Sequence, residues 1–159
     1  MFGHSRGGAI SILKSKEDDR VSNIVSWASP SDFIAKLPAY DREERWKETN
    51  VTYIYNARTK QKMPLYYQFY ENCLANIERL NIQYALSEMI VPHLHVHGDA
   101  DPTVLVAEAY NIKNWNPGAS LHIIKGANHV FDAFHPYDLE EFPKNLRDAI
   151  DITISFLEN

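Results

Sequence analysis

The chain carries one cysteine, Cys73, in 159 residues. That excludes an intrachain disulfide and leads to the expectation of a reducing, cytoplasmic setting. No apolar run approaches the ~20 residues that a bilayer-spanning helix needs, and no signal peptide precedes the first motif. Internal repeats, low-complexity tracts and Gly/Ser linkers are all missing, so nothing splits the chain into separate modules. Positive charge is in short supply: 16 Lys and Arg stand against 21 Asp and Glu, a net charge of −5, which argues against nucleic acid as a partner. What is there is a composition 45% apolar and 23% charged, suited to one packed domain over residues 1–159.

Residues 6–16 read as a helix that opens just after Ser5, with Ile10, Ile12 and Leu13 on its apolar side. A charged connection, KSKEDDR, leads to a buried strand over 21–28, which Ser29-Pro30-Ser31-Asp32 ends. Residues 30–88 read as an insertion. It holds an exposed helical piece at 41–48, a strand at 51–55, and a helix after Pro64 whose apolar face is Tyr66, Phe69, Cys73, Ile77 and Leu80. A short helix over 82–88 closes it. Then come a strand at 91–97, a helix at 104–115, a strand at 120–125 and a last helix at 144–157. Strands that alternate with helices predict an α/β fold with a parallel sheet flanked by helices. In such a sheet, sites lie at the carboxyl ends of the strands.

Three residues sit at such ends. Ser5 lies in Gly3-His4-Ser5-Arg6-Gly7, a G-x-S-x-G pattern at a strand-to-helix turn. The glycines suit the tight turn, and the helix opening at Arg6 points backbone N–H groups at the serine, making the Arg6 N–H a natural oxyanion donor. Asp101 lies in Gly98-Asp99-Ala100-Asp101-Pro102, just past a strand, with Asp99 two residues away as the alternative acid. His129 lies in Gly126-Ala127-Asn128-His129, past the next strand. A serine hydroxyl needs a base in contact and a third group to orient that base. Ser, then Asp, then His is the chain order of one such arrangement.

These stretches (GHSRGG, VPHLHVHGDADPTV and HIIKGANHVF) resemble the C-terminal part of an α/β hydrolase of the esterase, dienelactone-hydrolase and prolyl-oligopeptidase-like branch. The likeness covers nearly the whole chain, with 30–88 matching loosely as a cap-like insertion. It implies Ser5 as nucleophile, Asp101 as acid and His129 as base, acting on a small ester or other acyl substrate without cofactor, metal, nucleic acid or membrane. It also implies that the strand leading into Ser5 and several before it, on the order of 80 to 100 residues by the length of βα units, are absent. Met1 then reads as an internal methionine of a truncated frame. Only three complete strands are expected, along with weak or no activity. A homo-oligomer or a complementing N-terminal segment is the expected partner.

Other residues have two readings. His93, His95 and His97 share one face of a strand, a spacing that can bind zinc or sit buried near the site. His4, Trp27, Asp32 and Tyr66 are candidates for lining a substrate pocket; Tyr66 lies in an aromatic-rich stretch, 46–70, that also suits the core of a small cap. Arg58, Lys60 and Lys62 form a basic run, read as a solvated turn or as a contact for an anionic acyl group. His135 and Asp138 read as structural.

Overall fold

The computed structural model describes residues 1–32, 40–56 and 59–158. In chain order the elements are β1 (Phe2–His4), α1 (Arg6–Glu17), β2 (Ile24–Trp27), α2 (Tyr40–Thr49), β3 (Val51–Asn56), β4 (Gln61–Tyr66), α3 (Tyr67–Ala75), α4 (Ile82–Ser87), β5 (His93–Gly98), α5 (Val106–Trp115), β6 (Ser120–Ile124) and α6 (Lys144–Leu157). They form two compact units, Met1–Ser31 with Asn81–Asn159, and Asp32–Leu80. Residues 81–88, read from the sequence as the end of the insertion, pack in the first unit through α4.

The first unit is built on a four-stranded sheet of order β1-β2-β5-β6, with every pair parallel. The strand expected to be missing before Ser5 is therefore present as three residues. It escapes sequence reading because three residues carry no alternation to detect. Strands β2 and β5 are buried along their whole length, as short apolar runs covered on both faces must be.

The two faces divide by residue parity. Val25, Trp27, Leu94, Val96 and Ile124 point to one side, where they form a core with Ala127, Phe131 and Ala149, and the half-buried Leu146, Ile150, Ile152 and Phe156 pack against it. Helix α6 thus supplies one cover. Ile24, Ser26, His93, His95 and His97 point to the other side. The crossovers β1-α1-β2 and β5-α5-β6 step across the sheet in the same direction, so right-handed connections put α1 and α5 together on that face. Among the described residues, no helix is long and apolar enough to cross a membrane.

The second unit pairs β3 with β4 in an antiparallel ribbon. The sequence reading placed a helix after Pro64, but Pro64 and the two residues that follow it lie inside β4, with Pro64 opposite Tyr53. A two-stranded ribbon has only edge strands, and edges tolerate proline. The helix begins three residues later and buries Tyr67 and Cys73, while Tyr66 and Ile77, expected on its apolar face, are exposed. Trp46 anchors the unit. It is edge-on to Tyr67 and Tyr70, and its indole N–H donates to the Leu65 carbonyl at 2.9 Å. Lys60 and Lys62 are exposed; Arg58 lies outside the described residues.

Candidate active site

Ser5 joins β1 to α1 with φ 55° and ψ −126°, a backbone region that a residue with a side chain occupies at a cost of about 1–3 kcal/mol. Two ties hold it there: its N–H donates to the Trp27 carbonyl at 2.7 Å, and its carbonyl accepts from the Gly8 N–H at 2.9 Å. Glycine is required nearby, though not at both positions read from the motif. A Cβ on Gly3 would stand 2.2 Å from the Gly7 carbonyl oxygen, and one on Gly8 would stand 2.8 Å from Ser29 Cβ. Gly7 meets nothing within 4 Å, so it is Gly8, outside the five-residue pattern, that lets α1 pack close.

Asp101 follows β5 and is buried. Its Oδ1 accepts from the backbone N–H groups of Thr103 (2.8 Å) and Val104 (2.9 Å). Its Oδ2 lies 2.7 Å from His129 Nδ1. The other imidazole nitrogen, Nε2, lies 3.0 Å from Ser5 Oγ. Because a carboxylate only accepts, the proton of the neutral ring sits on Nδ1, leaving Nε2 as an acceptor for the serine hydroxyl. Three residues spread over 124 positions of chain meet because β1, β5 and β6 are parallel and end on one rim.

Asp99, the alternative acid, faces elsewhere. Its Oδ1 accepts from the Gly126 N–H at 2.5 Å, and with the Ala100 N–H donating to the Ala127 carbonyl at 3.1 Å it ties the acid loop to the histidine loop. Beyond His129, Asn128 Oδ1 accepts from the N–H groups of Val130 and Asp132, both at 3.0 Å. These bonds support a turn in which Phe131 and Asp132 take positive φ values of 54° and 65°. Neither brace was legible as such, because Asp and Asn are common in loops for many reasons.

The residues expected at the substrate divide. His4 lies behind the base: its Nε2–H donates to the His129 carbonyl at 2.7 Å, with the rings 4.8 Å apart. Trp27 is a correction. It packs edge-on to Phe2 and Phe131, its indole donates to Thr153 Oγ1 at 3.0 Å, and it belongs to the core under the site, because it shares the strand face of Val25. Arg6 is the first residue of α1, beside Ser5. Asp32 and Tyr66 belong to the second unit, and both are exposed. His135 and Asp138 are exposed loop residues. Grooves of about 430 and 460 Å³ run along β6 and α6, and neither is lined by Ser5, Asp101 or His129.

His93, His95 and His97 are buried; His95 is bonded to His97, and both His93 and His95 are bonded to Ser26. Among the described residues no group of three His, Cys, Asp or Glu is arranged to hold a metal ion.

No family model and no curated protein matches the chain. Solved structures do. The esterase domain of a Rhodothermus marinus protein aligns with a TM-score of 0.60 at 19% identity, over 95% of this chain and 55% of that one. Est1E from Butyrivibrio proteoclasticus aligns with a TM-score of 0.65 at 15% identity, over 100% and 61%. A Paleococcus ferrophilus monoacylglycerol lipase aligns with a TM-score of 0.67 at 16% identity, over 99% and 67%. The fold is that of the α/β hydrolases, and the chain spans between 55% and 67% of the length of these three neighbours.

Proposed function

We propose that this chain is a serine hydrolase of carboxylic esters, with amides or peptides as the wider class. The hydrogen-bonded run from Ser5 Oγ through His129 to Asp101 carries the reading, and the esterases and lipase among its structural neighbours favour the ester. Ser5 Oγ attacks the acyl carbon as its proton passes to His129 Nε2. The oxyanion that forms faces the Arg6 N–H in the first turn of α1, a favourable place for negative charge. His129 then gives its proton to the leaving alkoxide as the carbon–oxygen bond breaks. Water, deprotonated by the same nitrogen, frees the acid and restores Ser5. Asp101 keeps the Nδ1 proton in place and stabilises the imidazolium. His4 braces the base through the His129 carbonyl.

Fluorophosphonate labelling, with the adduct located by peptide mass spectrometry, tests this. The label is expected on Ser5 and lost in Ser5→Ala and in His129→Ala. Labelling that persists in Ser5→Ala overturns the assignment.

A second reading is that the site becomes competent only when further strands are supplied along β1. Its support is the exposure of Phe2 on that short edge strand (56%). Labelling of Ser5 in the chain alone counts against it; labelling only after an added segment supports it.

A further inference from the structure

Behind Asp101 lies a run of buried polar groups that the proposed chemistry does not use. His97 Nε2 is 2.8 Å from the Val104 carbonyl oxygen and 3.5 Å from Asp101 Oδ2. His97 Nδ1 is 3.1 Å from His95 Nε2. His95 Nδ1 is 2.8 Å from Ser26 Oγ, and Ser26 Oγ is 2.7 Å from His93 Nε2. The pairing of Ser26 with His95 across β2 and β5 sets this spacing, and all four residues are at most 1% exposed.

The direction of every bond in the run follows from one end. A carbonyl only accepts, so His97 Nε2 carries a proton and, in a neutral ring, Nδ1 accepts. His95 Nε2 must then donate and its Nδ1 accept. The only donor available to it there is the Ser26 hydroxyl, which spends its single proton. Ser26 Oγ therefore accepts from His93 Nε2–H. The deduction ends by leaving His93 Nδ1 as a bare lone pair, and His93 Nδ1 is the one buried side-chain polar atom without a partner among the described residues. Burial lowers the pKa of all three imidazoles: His93 to about 4, His95 well below its ordinary value and His97 below it. Neutral rings are what a one-directional chain needs. The charged or titratable groups facing His97 are Asp101, His129 and Glu108; those facing His95 are the two other histidines.

We propose that Ser26, His93, His95 and His97 form a tautomer-locked chain that positions the acid loop, with His97 holding the Val104 carbonyl so that the Val104 and Thr103 N–H groups and the His129 ring converge on Asp101. His97 is a positioning residue, acting through Asp101, and its role in catalysis rests on the serine-hydrolase reading above.

The test uses ¹⁵N-histidine-labelled whole chain. In the native protein near neutral pH, His93, His95 and His97 are expected as neutral Nε2–H tautomers, with a coupling across the hydrogen bond from His95 Nε2 to His97 Nδ1. A charged ring or an Nδ1–H tautomer at any of the three overturns the chain. Positioning is read from the downfield His129 Nδ1–H resonance, which needs no turnover. It is expected to persist in His97→Gln, which keeps a donor toward Val104, and to broaden or vanish in His97→Phe; persistence in both, or loss in both, overturns the positioning role. If His97→Phe does not fold, the native tautomers and His97→Gln decide. Fluorophosphonate labelling of Ser5 should fall about tenfold in His97→Phe, the size of one lost buried hydrogen bond, and stay within about twofold in His97→Gln. If the native chain shows the tautomers and the His129 resonance yet Ser5 does not label, the hydrolase reading fails and the positioning chain stands.

Discussion

Gly98 and Ala127 approach so closely that a Cβ on Gly98 would lie 2.1 Å from the Ala127 carbonyl oxygen. The contact joins the end of β5 to the loop that carries His129. Backbone cannot yield as a side-chain tip does, so Gly98→Ala must push the acid and histidine loops apart. We expect it to cost about 2 kcal/mol or more, read as a lower midpoint in urea, and to abolish labelling of Ser5. Gly7→Ala, where a Cβ meets nothing, is the control. There the expected change is neutral or a gain of up to about 1 kcal/mol from helix propensity.

Asp101 and Asp99 stand two residues apart but face different partners. In Asp101→Asn the side-chain amide would donate to His129 Nδ1, forcing the proton onto Nε2, where it blocks acceptance from Ser5. The Ser5 labelling rate should fall by roughly 10⁴, the effect of the same change in a serine protease, with circular dichroism unchanged. Asp99→Asn keeps an acceptor for the Gly126 N–H, and its effect should stay within about threefold, a few tenths of a kcal/mol.

Acid should unfold the chain early. His93 has its pKa lowered to about 4 from 6.5 by burial. Above pH 6.5 it is neutral folded and unfolded, and contributes no pH dependence. As pH falls from 6.5 toward 4 the unfolded chain binds a proton that the folded chain does not, so stability drops through that window and levels below it. For this one residue the loss is roughly 3 kcal/mol. Urea midpoints should hold level from pH 7.5 to about 6.5 and fall from there to pH 4.5, and His93→Gln should flatten that fall.

Trp27 spends its indole N–H on Thr153 Oγ1 of α6. Thr153→Val keeps the shape but strands that donor in a largely buried place, at an expected cost of about 1–2 kcal/mol. Thermal unfolding measures the loss. A contribution near zero would mean that water reaches the indole nitrogen.

The rim was legible because Asp101 and His129 each follow a run that reads as a strand, because Ser5 lies in a G-x-S-x-G pattern ahead of a helix, and because Ser, Asp and His need one another chemically. Of the two carboxylates the sequence offers there, Asp101 lies 2.7 Å from His129 Nδ1, while Asp99 accepts from the Gly126 N–H. Other features were hidden for definite reasons. β1 is too short for a pattern, and Pro64 suggests a helix start although an edge strand also admits it. Trp27 follows a strand toward the rim, yet its parity sends it into the core beside Val25. The alternation of His93, His95 and His97 was visible, but not the serine on a strand 67 residues away in sequence that completes their chain. Pairing across a parallel sheet leaves no local trace. Gly8, which the turn at Ser5 needs in addition to Gly3, lies beyond the motif, and its close neighbour, Ser29, comes from after β2.

Ser5 and His129 are separated by 124 residues, and what brings them together is strand pairing from β1 through β2 and β5 to β6. No local segment of the chain can make that encounter on its own. A reagent that captures Ser5 only when His129 is beside it therefore counts chains whose whole sheet has closed. Followed through a refolding time course, the captured fraction is a clock for the last pairing event, read in covalent bonds instead of in spectroscopic averages.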